Sequence, residues 1–383
     1  MRGLRQGTKV DQADHERTSY LPTLDGWRAV AILAVVICHG AAFPFCPSGP
    51  WPSPGIFLWT RFGSYGVDVF FSISGFLIGG KLLAEQAATG KVNFSRFYLR
   101  RIFRIAPAYW VYLAVLWVAT ALGWPLLGWQ EAISCLVYLR NYLPIGMGYS
   151  TGFTGHLWSL SVEEHFYLVM PLLVALLKGR RTGLAFAALA LTVAAWRLVE
   201  FRLQILAGWM PMGNFLERTD IRCDGLLWGV SMAAAYRLPH WRDWLTAVTR
   251  PALVPIWLGA LVAAIVLEPP LRHIWIAVLP SVFLVATVLH PGSWLGRCLE
   301  HPMLRYIGHR SYSIYLWQSL FLVGPEVARP LPLGLIQSFP IGLVLVWLTS
   351  EASFRLVEKP MIRLGHRLTS GSAASDHEPA SAG

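Results

Sequence analysis

GWRAVAILAVVICHG, residues 26–40, decides how the rest of the chain is read. Arg28 opens this stretch, His39 closes it, and the residues between them are almost all apolar. If the segment is a helix, the step from Arg28 to His39 turns through about 1100°, within about 20° of three full turns. The two side chains then share a face, roughly 16 Å apart along the axis. A cation placed in an apolar segment costs at least ~2.5 kcal/mol by insertion scales unless something satisfies it. The pair therefore asks for a purpose.

Working outward, the 383 residues are 55% hydrophobic and only 14% charged, with 18 tryptophans and a mean hydropathy of +0.48. A soluble domain is usually about 25% charged. The composition is that of an all-α integral membrane protein, a bundle of about ten transmembrane helices. Apolar blocks lie near 27–46, 62–82, 104–123, 157–177, 183–200, 222–236, 251–268, 273–289, 310–325 and 336–354. Each spans, or nearly spans, a ~30 Å hydrocarbon core. Lipid offers no partner for open backbone groups, so the spans must be helical. The block at 222–236 is short, and the apolar region 131–145 could form a re-entrant or interfacial helix.

Charge sets the expected orientation. With the amino terminus inside, 22 of the 32 Lys and Arg fall in inside segments and six in outside ones. The remaining four are Arg28, Lys81, Arg197 and Arg222, within or at the ends of spans. Both termini are thus expected in the cytoplasm. The domain reading is a cytoplasmic tail over 1–26, a transmembrane domain over 27–367 and a disordered cytoplasmic tail over 368–383. The net charge of +11 reports topology, and no basic stretch is interleaved with stacking aromatics as a nucleic-acid surface would be. No cleavable signal peptide is expected. The five cysteines show no metal-ligand spacing and no metal is expected; Cys46 and Cys135 fall on the outer side, as a disulfide or as free thiols. No internal repeat is evident, which counts against transporter folds built from repeated halves.

Ionisable groups at depth carry the functional signal. His39 lies about two-thirds of the way along the first span, and Asp68 in the second should reach a similar depth. An Asp68–His39 contact would fix the tautomer and raise the basicity of the ring; alternatively it would only fasten two helices. GHLWSLSVEEHFYLVMPLL (155–173) brings His156, Ser159, Ser161, Glu163 and Glu164 into its first turns, one glutamate facing the bundle and the other the rim. RTDIRCDGLLWGV (218–230) places Asp220 and Asp224 four apart on one helix face, as an acceptor site or as interfacial ion pairs. In SRFYLRRIFRIAPAYW (95–110), Arg101 and Arg104 line one face, either as an anchor on anionic lipid or as a guanidinium clamp for a phosphorylated ligand.

Taken in order, these pieces resemble the acyltransferase-3 family of bacterial membrane proteins over roughly residues 19–367. The resemblance rests on the Arg28-x10-His39 element after LDGW, then GVDVFFSISGFLI, RRIFRIAPAYW, HLWSLSVEEHFYLVMP, IRCDGLLWG, YIGHRSYSIYLWQ and SFRLVEKPMIRLG. It implies a multi-pass enzyme of the bacterial cytoplasmic membrane, about ten spans across. Such an enzyme moves an acyl group, often acetyl, from cytosolic acyl-coenzyme A to a hydroxyl of a carbohydrate or glycolipid at the outer face. By resemblance His39 is the catalytic base or acyl carrier with Arg28 as its partner element, and Arg101 and Arg104 hold the coenzyme A donor. Beside these, position along the spans marks Asp68 and Glu163 as further candidate catalytic residues, Arg28 as part of the cationic donor entrance, and His156, Ser159, Asp220 and Asp224 as acceptor-side residues. The expected partners are the lipid bilayer and that acceptor, with no nucleic acid.

Two departures from the family pattern stand out. Gln318 follows YLW where the family usually has histidine, which weakens any catalytic assignment to that position. The hydrolase-like outer domain that some members carry is not expected, so the bundle and its outer loops would engage the acceptor. A rival reading is a proton-coupled exporter or flippase of a glycan or lipid, with Arg28, His39, Asp68 and Glu163 as a proton relay.

Overall fold

The computed structural model describes residues 20–40, 62–124, 126–143, 152–206, 215–269, 271–322, 336–337 and 340–375. Among them there is helix and no strand. The opening stretch lies in α1 (Pro22–Gly40), so Arg28 and His39 share one helix as the spacing requires. His39 falls in its last turn rather than two-thirds along a longer span; residues 41–46 of the expected block lie outside the described ones. α2 (Gly66–Thr89) and α3 (Phe94–Ala121) follow, the second started by Asn93, whose side chain accepts from the Arg96 N–H at 2.9 Å. The 131–145 region is a short helix, α4 (Trp129–Leu136), and a turn at Arg140–Tyr142. Next come α5 (Trp158–Leu176), α6 (Thr182–Leu206), α7 (Asp224–Tyr236), α8 (Pro239–Val248), α9 (Val254–Val266) and α10 (Arg272–Leu289). Beyond α11 (Trp294–Leu299) and α12 (Pro302–His309) lie α13 (Ser311–Phe321), α14 (Ile341–Ser353) and α15 (Lys359–Ser375).

The expectation of ten spans is met only in part. Among the described residues six helices are long and apolar enough to cross a membrane, and a seventh crossing arises if α8 and α9, bent by 49° at their junction, act as one. The block at 336–354 yields Ile341–Ser353, which runs on through a π-helical turn at Phe354–Glu358 into α15, whereas the blocks at 222–236 and 310–325 yield helices of 13 and 11 residues. At 1.5 Å per residue these are roughly 17–20 Å long. The reason is visible for α7 and α13: both are buried in protein around most of their circumference, with Leu226, Leu227, Val230 and Ala233 interior on one and Ile314, Tyr315, Leu316 and Trp317 on the other. A helix sheathed by other helices need not match the lipid thickness. Residues 368–375 of the expected tail continue α15, which packs along α3 with Arg100 donating to Thr369 Oγ1 at 2.9 Å. The remainder of that tail, 376–383, lies outside the described residues.

Close backbone approach fixes the helices that carry the polar residues. A methyl group on Gly75 would overlap the carbonyl of Leu226, and one on Gly229 would overlap the carbonyl of Ser72. With Gly79 against Val230, this forms a small-residue seam of the kind membrane helices use where hydrophobic burial cannot drive association. Gly308 meets the backbone of Asp25 in the same way and seats α12 on α1. Gly75→Ala is accordingly expected to cost about 1–3 kcal/mol, as overpacking does, read as a lower melting temperature in detergent. Gly80→Ala is the control, because a methyl there meets only the Ala233 side chain at an ordinary 3.6 Å. Equal melting temperatures for the two variants would remove the seam from the account.

Candidate active site

Five helices, α1, α2, α3, α5 and α13, enclose a cavity with about 100 Å³ of space open to the centre of a water molecule. That is room for several waters or the tip of a flexible chain. At one end it is lined by Arg28 from α1 and by Arg101 and Arg104 from α3. Arg28 is held by Asp25 at 3.2 Å. The Arg101 guanidinium lies 5.0 Å from the centre of the Tyr167 ring and 5.9 Å from that of Phe97. Among the described residues no carboxylate forms an ion pair with Arg101 or Arg104, whereas Arg140, Arg197, Arg218, Arg222 and Arg310 each have one. Two guanidinium groups without carboxylates, at the mouth of a narrow cavity, suit an anion.

Further in, Glu163 accepts hydrogen bonds from Ser74 Oγ at 3.1 Å and Tyr167 Oη at 2.8 Å. Of the neighbouring pair, Glu163 lines the cavity; Glu164 does not. Beyond Glu163 lie Ser159 and Tyr315, their hydroxyls 2.5 Å apart, with Tyr315 donating to the carbonyl of His156 at 2.6 Å. The His156 ring is buried between Tyr112 and Tyr315, at 5.6 and 5.3 Å between ring centres, and neither of its nitrogens is in hydrogen-bond geometry with a described partner. One turn along α13 from Tyr315, Gln318 Oε1 sits 3.3 Å from His39 Nδ1. The cavity lining thus ends at Ser159 and Tyr315, and the Gln318–His39 contact lies one turn of α13 further on.

The expected Asp68–His39 contact gives way to other partners. Asp68 accepts from Arg222 at 3.0 Å, and that guanidinium lies over the Trp158 ring at 5.7 Å. The glycine seam draws α2 against α7 and so brings Arg222 to the start of α2, where a buried carboxylate meets a stronger donor than imidazole. Asp224 pairs with Arg197 at 2.7 Å, and Asp220 pairs with Arg218 at 2.7 Å and accepts from Trp196 Nε1 at 2.9 Å. The two carboxylates are claimed separately, Asp224 by the buried Arg197 and Asp220 by the half-exposed Arg218, so they form no joint site. Neither carboxylate lines the cavity. Nearby, burial pushes the Glu217 carboxyl up to about 7, against the pull of Arg140 and Arg222.

Sequence reasoning missed Ser74, Tyr167 and Tyr315. Tyr167 had a signal: it stands four residues after Glu163, on the same helix face. Cys135 is a buried free thiol, and the Cys46 half of the considered disulfide lies outside the described residues. Among the described residues no three His, Cys, Asp or Glu side chains cluster as metal ligands.

The chain is 28% identical over 373 residues to the peptidoglycan O-acetyltransferase OatA of Listeria monocytogenes, covering 90% of this chain and 56% of that protein. It is also 28% identical over 371 residues to the O-acetyltransferase OatA of Staphylococcus aureus, covering 91% and 58%. The chain thus spans less than three-fifths of the length of the curated relatives it matches. No solved structure matches it. A family model described as an acyltransferase domain matches residues 21–351, which takes in every helix of the cavity, and the chain belongs to the acyltransferase-3 family.

Proposed function

We propose that the chain is a membrane-embedded O-acetyltransferase that passes acetyl from cytosolic acetyl-coenzyme A to a carbohydrate hydroxyl at the outer face of a bacterial cytoplasmic membrane. The observation that carries this reading is the cavity lined by Arg101 and Arg104 at one end and by Ser159 and Tyr315 at the other, with the Gln318–His39 contact one turn of α13 beyond Tyr315. The donor's phosphates rest on Arg101 and Arg104, outside a passage too narrow for a nucleotide. Its thioester arm reaches past Glu163 and Ser159, a path of roughly 16 Å from Arg28 to His39. The acceptor oxygen attacks the thioester carbonyl carbon while His39 takes the hydroxyl proton; the carbon–sulfur bond then breaks and the sulfur leaves with that proton. Transfer through an acyl group carried on His39 is the alternative order. The acceptor belongs to a cell-surface polymer or glycolipid, in keeping with the relative named for peptidoglycan.

Purified protein in nanodiscs with radiolabelled acetyl-coenzyme A tests the reading. Release or transfer of label is expected with no ion gradient present. Silence without a gradient, and glycan or lipid movement with one, would support the exporter instead.

The reading also needs ten crossings, with both chain ends and the arginine end of the cavity in the cytoplasm. In a cysteine-free background, a cysteine at Ser95, exposed at the start of α3, is expected to react with a membrane-impermeant maleimide only after cells are opened. A cysteine at Leu122, 76% exposed at the other end of α3, is expected to react in intact cells. Labelling of both from one side would sink the trans-membrane mechanism.

A further inference from the structure

Gln318 is fully buried, yet its amide is only half used. Oε1 meets His39 Nδ1, while Nε2 has no hydrogen-bond partner among the described residues. Leaving a buried donor unpaired costs about 1–3 kcal/mol. In the same shell the Trp317 Nε1–H and both His156 ring nitrogens also lack described partners, whereas the hydroxyls of Tyr315 and Ser159 are engaged with each other and with the His156 carbonyl. Unpaired donors and acceptors thus collect around Gln318, one turn of α13 beyond the cavity residue Tyr315. Such a shell is complete only when a polar group enters it.

We propose that Gln318 sets the working tautomer of His39 and gives its free amide N–H to the carbonyl oxygen of the reacting thioester. The first half follows from the inventory of atoms. An amide oxygen only accepts, so the contact requires the imidazole proton on Nδ1, and this leaves the lone pair on Nε2. Nε2 is then the atom that removes the acceptor's hydroxyl proton. As the new carbon–oxygen bond forms, the carbonyl π pair moves onto its oxygen, and the Gln318 Nε2–H donates to the oxyanion. The pair returns, the carbon–sulfur bond breaks, and the thiolate takes the proton from His39. Charge develops opposite a donor that the fold has already desolvated, which is where a fixed dipole contributes most.

The inference rests on His39 being the base, and the test separates the two. Gln318→Leu and Gln318→Glu are assayed in the full chain in nanodiscs with acetyl-coenzyme A. Leucine removes both functions of the amide; glutamate keeps an acceptor for Nδ1–H and loses the donor. Both are expected to lose about 100-fold or more in kcat, the scale seen when one oxyanion donor is removed, with donor KM unchanged. Where leucine perturbs folding, the nearly isosteric glutamate decides. A Gln318→Glu enzyme with wild-type kcat overturns the proposal, and so does a loss that appears in donor KM rather than kcat. If His39→Ala stays active, the functional reading itself has failed. An inactive His39→Ala beside a fully active Gln318→Glu discards the role of Gln318 alone.

Discussion

His39→Ala is expected to lower acetyl transfer by 100-fold or more while membrane insertion and melting temperature stay near wild type. General bases contribute 10²–10⁴-fold, and no other imidazole on the path has its ring nitrogen in contact with a side-chain acceptor that fixes its tautomer. His156 is the nearest rival, but its nitrogens face no described partner and its ring is wedged between two tyrosines. Removing His39 deletes one hydrogen bond at 3.3 Å from the last turn of α1, a small structural loss beside the buried Ala29, Ile32 and Val35 that seat the helix. A purely structural histidine would show the opposite split, with altered stability and intact turnover. The decisive measurement is kcat in nanodiscs with saturating donor. Retention of more than about a tenth of activity would end the general-base role.

Much of this site is legible in the sequence because it obeys one period. Arg28 and His39 on α1, Arg101 and Arg104 on α3, and Glu163 with Tyr167 on α5 are each related by helical spacing, and all but His39, which instead meets Gln318, line the same cavity. What the period cannot supply is the choice of partner between helices. Asp68 lies at the expected end of α2, yet its partner is set by a glycine seam that lets α7 approach, and nothing in the spacing of Asp68 and His39 encodes that approach. Asp220 and Asp224 share a spacing of four, yet Arg218 and Arg197 claim them separately, and the spacing does not encode those partners. Gln318 read as the loss of a histidine; in three dimensions it is the group that His39 touches. The span count is met only in part for a related reason. Hydropathy cannot distinguish a helix wrapped in lipid from one wrapped in protein, so α7 and α13 look like crossings although they are only 13 and 11 residues long.

Replacing Arg101 and Arg104 together by alanine is expected to raise the donor KM about 100-fold or more, leaving acceptor KM and kcat at saturating donor close to wild type. Each guanidinium that loses a phosphate forfeits a charge-assisted hydrogen bond of about 1.5–3 kcal/mol, and two such losses compound. The effect should fall on binding alone, because these residues sit at the end of the cavity remote from His39. Lysine at both positions keeps the charge and gives up the planar fork, so its KM should lie between wild type and the alanine pair. Arg101→Lys also loses stacking of the guanidinium on Tyr167, 5.0 Å away, and should be the more affected single variant. Arg100→Ala is the control, since that side chain is turned to Thr369 on α15 and does not line the cavity. An anchor on anionic lipid would respond to summed charge: the lysine pair would then match wild type, Arg100→Ala would count as much as either neighbour, and donor KM would not move. That pattern would return the arginine cluster to the membrane surface and leave the donor without a site at this end of the cavity.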